Sequence, residues 1–139
     1  NHCTGCFNCW FATPGECIYA DDMTDLLTKI VEADMVVYAV PLYYYTVSGM
    51  MKDFMDRQLP LSQPYMDIRN DVTAHPMRYE KVGQKYIMLI SNSGFPDQSH
   101  FDGLKETFRC WVRGGGRKLA GLLCCAGGSM LQTPDILLL

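Results

Sequence analysis

The sequence predicts a doubly wound α/β domain, with a parallel sheet covered by helices. Three observations predict it. Met35–Val40 (MVVYAV), Tyr86–Ile90 (YIMLI) and Leu119–Ala126 (LAGLLCCA) are continuous apolar runs, the pattern of strands buried on both faces. Segments of helical periodicity lie between them, and this alternation gives parallel strands joined by right-handed crossovers. The runs from Met35 and Tyr86 both end in small polar, glycine and aromatic residues, at the carboxyl edge where open α/β sheets bind ligands.

Composition bounds the function. A chain of 139 residues allows one domain, and 48% hydrophobic against 19% charged residues supports a packed core rather than disorder. Net charge is −3, and Arg57, Arg69, Arg78, Arg109, Arg113 and Arg117 are scattered, so no nucleic-acid footprint is expected. No apolar run reaches the roughly 18–20 residues of a membrane span, and no export signal is visible. The chain opens at Asn1, inside a cysteine motif, and ends on Asp135, Ile136 and three leucines. We therefore expect a single domain over 1–139 truncated at its N-terminus and at its C-terminus. Seven cysteines, odd in number and clustered, argue against a disulfide framework and for metal or cluster chemistry in a reducing cytoplasm.

Residues 1–20 carry the spacing C-x2-C-x2-C-x7-C at Cys3, Cys6, Cys9 and Cys17. Three thiolates at three-residue steps wrap one compact object, and a fourth returns after the Pro14-Gly15 turn. Runs of this kind hold cubane iron–sulfur clusters, although Ile18 rather than proline follows the last cysteine. Zinc is a poorer match, because structural zinc sites pair two C-x2-C knuckles across a longer spacer. Buried, unligated thiols are the third reading.

Asp21-Asp22 then caps a helix whose Met23, Leu26, Leu27, Ile30 and Val31 share one face. The strand from Met35 follows and ends in the loop Pro41–Gly49, where three tyrosines suit a flat aromatic ligand. Tyrosines are also enriched at subunit interfaces. Ser48 is the expected N-cap of a helix over Met50–Leu59, with Met50, Met51, Phe54 and Met55 inward and Lys52, Asp53, Asp56 and Arg57 outward; Pro60 stops it. Residues 60–82 read as an irregular excursion with three prolines, and His75 as a loop histidine, general base being the lesser alternative. The strand Tyr86–Ile90 leads into Ser91–Pro96, which offers backbone N–H groups and close approach to a ligand. Phe101–Val112 follows as a helix with Phe101, Leu104, Phe108 and Trp111 on one face, stopped at Gly114–Gly116. Cys124 and Cys125 point to opposite faces of the last strand and read as core thiols.

CTGCFNCW, PGEC, DDM, ADMVVYAVPLYYYTVSGMMKDFMDR and ISNSGFP, taken together, resemble the flavodoxin-like NAD(P)H-dependent FMN reductases, and among them the iron–sulfur flavoproteins. The resemblance covers roughly residues 3–127. It implies a five-stranded parallel sheet of order 2-1-3-4-5 with FMN at its carboxyl edge. Pro41, Leu42, Tyr43, Tyr44 and Tyr45, with Thr46 and Ser48 behind them, match the loop that lines the flavin ring. Asn92, Ser93, Gly94 and Phe95 match the second ring-contacting loop. Cys3, Cys6, Cys9 and Cys17 match the ligands of a [4Fe-4S] cluster. The resemblance further implies NAD(P)H or ferredoxin as electron donor, a small-molecule acceptor, and a homodimer or homotetramer. No side chain is nominated as acid or base, because flavin chemistry does not demand one. The family's first strand, with its phosphate loop and first helix, and its second strand have no counterpart in the chain. The fold expected here is thus an incomplete one, in which the strand from Met35 loses a neighbour. A flavodoxin-type electron carrier and a metal-binding structural module are the competing functions.

Overall fold

The structure is a computed structural model and describes residues 1–128. Asp135, Ile136 and the terminal leucines lie outside the described residues. Among the described residues five helices and five strands occur, in chain order α1 (Asn8–Phe11), α2 (Met23–Glu32), β1 (Met35–Pro41), α3 (Gly49–Asp56), β2 (Asp67–Arg69), β3 (Val72–Ala74), α4 (Glu80–Gly83), β4 (Tyr86–Asn92), α5 (Asp102–Gly115) and β5 (Lys118–Cys125). Short 3-10 turns at Leu59–Leu61 and Gln98–Phe101 precede the excursion and α5. Among the described residues no helix is long and apolar enough to cross a membrane.

The α/β class holds. β1, β4 and β5 form a parallel sheet in the order β1-β4-β5, with Met35 opposite Tyr86 and Pro41 opposite Asn92. Among the described residues β1 pairs with β4 alone, so its other edge carries no strand.

Burial on both faces does not hold. On β1 the side chains alternate, Tyr38 and Val40 buried but Met35 and Val37 exposed. Tyr38, Val40, Ile87 and Leu89 pack with Phe101, Leu104, Phe108 and Val112, flanked by Met51, Phe54 and Met55. Met23, Leu27 and Ile30 of α2 form a second cluster with Leu61 and Val82, joined to the first through Val36 and Phe54. The opposite face of the sheet leaves Met35, Val37, Tyr86, Ile90 and Leu123 open. Among the described residues these apolar runs are therefore covered on one face of the sheet.

Local chemistry explains the element boundaries. Asp22 holds the N-cap position of α2 without a side-chain cap bond, and Asp21 supplies the acceptor, its Oδ1 accepting from Met23 N at 3.2 Å. Ser48 caps α3 by accepting from Met51 N at 3.4 Å. α5 runs past Gly114 and Gly115 and stops at Gly116, whose φ of 67° only glycine adopts cheaply. Two outward and inward assignments on α3 fail. Met50 is 84% exposed, and Arg57, at the C-cap, is only 4% exposed. Cys124 packs on the core while Cys125 is exposed, so only the first is a core thiol.

The excursion is more ordered than expected. Ile68–Thr73 and their neighbours pair as a β2-β3 hairpin, turned by Asn70 and Asp71 at φ 48° and 60°. Two successive positive φ values make a type I′ turn, and Asn and Asp tolerate that conformation.

Candidate functional site

β1 and β4 end level with each other, and Leu42 N donates to Asn92 O at 2.8 Å. Their two loops therefore leave the carboxyl edge side by side. In the first, Tyr43 N donates to Thr46 O and Thr46 N to Tyr43 O, both at 3.0 Å. Tyr44 and Tyr45 between them have φ of 47° and 63°, again a type I′ turn. Asn70-Asp71 adopts this turn at little cost. For two tyrosines the left-handed region costs about 1–2 kcal/mol per residue. The turn leaves the Tyr44 ring 98% exposed and Tyr43 and Tyr45 mostly exposed as well. Strain that serves to hold aromatic rings in solvent points to a ligand or partner surface.

The second loop is held rigidly. Ser93 Oγ donates to Phe95 O at 2.9 Å, Ser93 N to Cys125 O at 3.0 Å, Gly128 N to Ser93 O at 2.7 Å and Gly127 N to Phe95 O at 2.8 Å. The Ser93 amide, one of the backbone donors expected to face a ligand, is thus committed to the end of β5. Pro41, Leu42, Tyr43, Asn92, Ser93, Gly94 and Gly128 line one pocket. Leu42, Tyr44, Tyr45, Ser93, Gly94, Phe95 and His100 line the pocket beside it. Both loops nominated from the sequence meet here. Thr46 closes the turn and Ser48 caps α3, and neither is among the residues lining these two pockets.

His100 was not foreseen. Its ring meets Tyr45 at 5.6 Å and Phe95 at 5.1 Å, both edge-on, and its buried Nδ1 has no hydrogen-bond partner. No spacing rule points to it; only the fold brings it to a tyrosine on another loop. Flat aromatic edges from two loops, a rigid backbone and an orphaned ring nitrogen fit the ring portion of FMN.

A second site gathers the cysteines. Phe7 at φ 55° and Gly5 at φ 66° turn the backbone, α1 adds one helical turn, and Gly15 N donates to Cys9 O at 2.9 Å. Cys3, Cys6, Cys9 and Cys17 consequently line one pocket, with Phe7, Ile18, Tyr19, Arg57 and Pro60. Cys9 is buried, Cys17 half-buried, Cys3 and Cys6 exposed. Burial pushes the Cys9 thiol up, and the neighbouring Cys17, Cys3 and Cys6 add to this by charge repulsion. A polycationic centre among them would reverse that repulsion. Among the described residues no group of three or more His, Cys, Asp or Glu side chains is placed to hold a metal ion. What the fold brings together is the four thiols on one pocket wall. His75 packs on Trp10, ring centroids 4.6 Å apart, with Nδ1 3.0 Å from Tyr65 O, as a packing histidine does.

Similarity to known proteins agrees with this arrangement. An iron-sulfur flavoprotein of Archaeoglobus fulgidus is 47% identical over 60 residues, covering 43% of this chain and 26% of that protein. An iron-sulfur flavoprotein of Methanocaldococcus jannaschii is 38% identical over 72 residues, covering 52% of this chain and 36% of that protein. The matched stretches are thus about a quarter to a third of those relatives' length. An NADPH-quinone reductase from P. pentosaceus shares the fold, with a TM-score of 0.61 over 83% of this chain and 67% of that one, at 13% identity. Residues 3–101, which include the cysteine pocket, β1 and both strand-end loops, match the NADPH-dependent FMN reductase family. By that match, and with a parallel sheet whose carboxyl-edge loops suit a flavin ring, the chain belongs to the NADPH-dependent FMN reductase family.

Proposed function

We propose that this chain is part of an FMN-dependent oxidoreductase that takes electrons from NAD(P)H or a ferredoxin and passes them to a small acceptor. One observation carries the reading: the strained Tyr43–Thr46 turn and the Ser93–Phe95 loop line adjoining pockets at the carboxyl edge of paired parallel strands. FMN, when bound, supplies the hydride and electron chemistry. The chain's own part is to position. Tyr44, Tyr45 and Phe95 offer ring faces and edges to the flavin in offset geometry. Leu42 and Asn92 hold the two loops in register, and the bonds from Ser93 keep the second loop rigid. His100 Nδ1 is the buried polar atom that a bound ligand would satisfy.

Cys3, Cys6, Cys9 and Cys17 would hold an iron–sulfur cluster in the same protein, supported by their shared pocket. The open edge of β1 and the bare sheet face support a domain completed by further sequence. The family's first strand, with its phosphate loop, would pair with β1 there. The complete protein would be a cytoplasmic homodimer or homotetramer.

The test is an anaerobic absorption spectrum of the full-length protein, followed by NADPH oxidation with a quinone as acceptor. Flavin bands with a broad iron–sulfur shoulder, and turnover, are expected. A colourless protein overturns the reading; flavin bands without turnover would reassign it to an electron carrier.

A further inference from the structure

Arg57 occupies an unusual position. It follows α3 in a row of charged residues, which reads as a solvated face, yet its side chain is 3% exposed. Its Nη1 donates to Asp21 Oδ2 at 2.6 Å and to Asn1 O at 3.3 Å. Its Nη2 donates to Cys17 Sγ at 3.4 Å. The guanidinium also lies 5.6 Å from the centre of the Tyr19 ring. It lines the pocket that all four N-terminal cysteines share. Asp56, on the same rim, is engaged by Lys52 at 2.6 Å.

Burying a guanidinium is costly unless its charge and donors are used. Asp21 neutralises one side of it. The other side faces a sulfur, and neutral thiols are weak acceptors that give little return for a buried donor. The arrangement gains more when the sulfur is a thiolate, because a charge-assisted hydrogen bond is roughly twice as strong. Asp21 acts as the anchor that aims the fork, as outer carboxylates orient the groups around metal centres.

We infer that Arg57 is a positioning residue for the four-cysteine centre: it hydrogen-bonds the Cys17 thiolate and adds one fixed positive charge beside the cluster. The inference rests on the cluster reading given above. Hydrogen bonds to ligand sulfurs and local net charge set cluster potentials. A nearby cation favours the reduced, more negative state, so Arg57 raises the potential. Lysine keeps the charge and the contact to Asp21 but lacks the planar fork that reaches two partners at once.

The experiment compares full-length wild type, Arg57→Gln and Arg57→Lys, each loaded anaerobically with iron and sulfide. It reads iron and sulfide per chain, and the cluster midpoint potential by spectroelectrochemistry. Arg57→Gln is expected to lower the potential by about 59 mV, a tenfold change in the one-electron equilibrium. Arg57→Lys is expected to shift it the same way by less. If Arg57→Gln fails to fold, the lysine variant decides. A loaded variant with an unchanged potential overturns the inference, whatever its thermal stability. A wild type that takes up no iron or sulfide overturns the cluster reading, and this inference with it.

Discussion

At the scale of single residues, side chains here are decided by their partners rather than by local pattern. Arg57 shows this. Its place in the sequence suggests solvent, yet a hydrogen bond to Asp21, 36 positions earlier, draws it inside. The same contact acts on Asp21. The Arg57 guanidinium, and then the Asn1 side chain, hold the Asp21 carboxyl well below the usual carboxylate range. A group whose folded value is depressed contributes stability that is present above its unfolded value, about 4, and is lost as pH falls through the folded value. Asp21→Asn is therefore expected to lower the thermal midpoint at pH 6–8, with the gap to wild type narrowing progressively below about pH 4. Melting curves from pH 7 to pH 2 check this; a gap that stays constant to pH 2 would contradict it. Tyr44 and Tyr45 make a related point. Their residue type marked them as ligand contacts, but only their positive φ values reveal the strain with which they are presented.

At the scale of elements, boundaries follow caps and turns. α3 has no fully buried side chain, so its start depends heavily on Ser48. Ser48→Ala removes the acceptor for Met51 N and is expected to cost about 0.5–1 kcal/mol, toward the low end of cap effects because the bond is long. Urea unfolding midpoints measure it. A loss above about 2 kcal/mol would mean that Ser48 does more than cap. The β2-β3 hairpin was missed in the sequence because its strands are three residues long and weakly alternating. The Asn70-Asp71 pair was the legible clue, since those residues suit a type I′ turn. The apparent irregularity of three prolines concealed it.

At the scale of the whole molecule, the described residues cover one face of the sheet and leave the other bare. Val37 sits in the middle of the bare face and is 47% exposed. If further sequence completes the domain, the same residue is buried there. Val37→Lys is expected to change the stability of the 139-residue chain by no more than about 0.5 kcal/mol and to lessen its self-association. In the full-length protein the same change buries an unpaired charge and is expected to cost at least about 3 kcal/mol. Chemical unfolding of both proteins, with sedimentation of the shorter one, compares the two. An equally small effect in both would show that nothing covers this face.

The sequence by itself determined the class of fold, the three parallel strands, the cysteine spacing and the two loops that meet at the carboxyl edge. These depend on short-range regularities: apolar runs, helical periodicity, and the abrupt change to glycine, serine and tyrosine where a strand ends. Only the tertiary structure decided which face of the sheet is covered, that Arg57 turns inward to Asp21 and Cys17, that His100 lies between Tyr45 and Phe95, and that the four cysteines share one pocket. Each of these is a contact between residues distant in the chain. Local propensity carries no record of such distances; packing and charge pairing settle them when the elements come together.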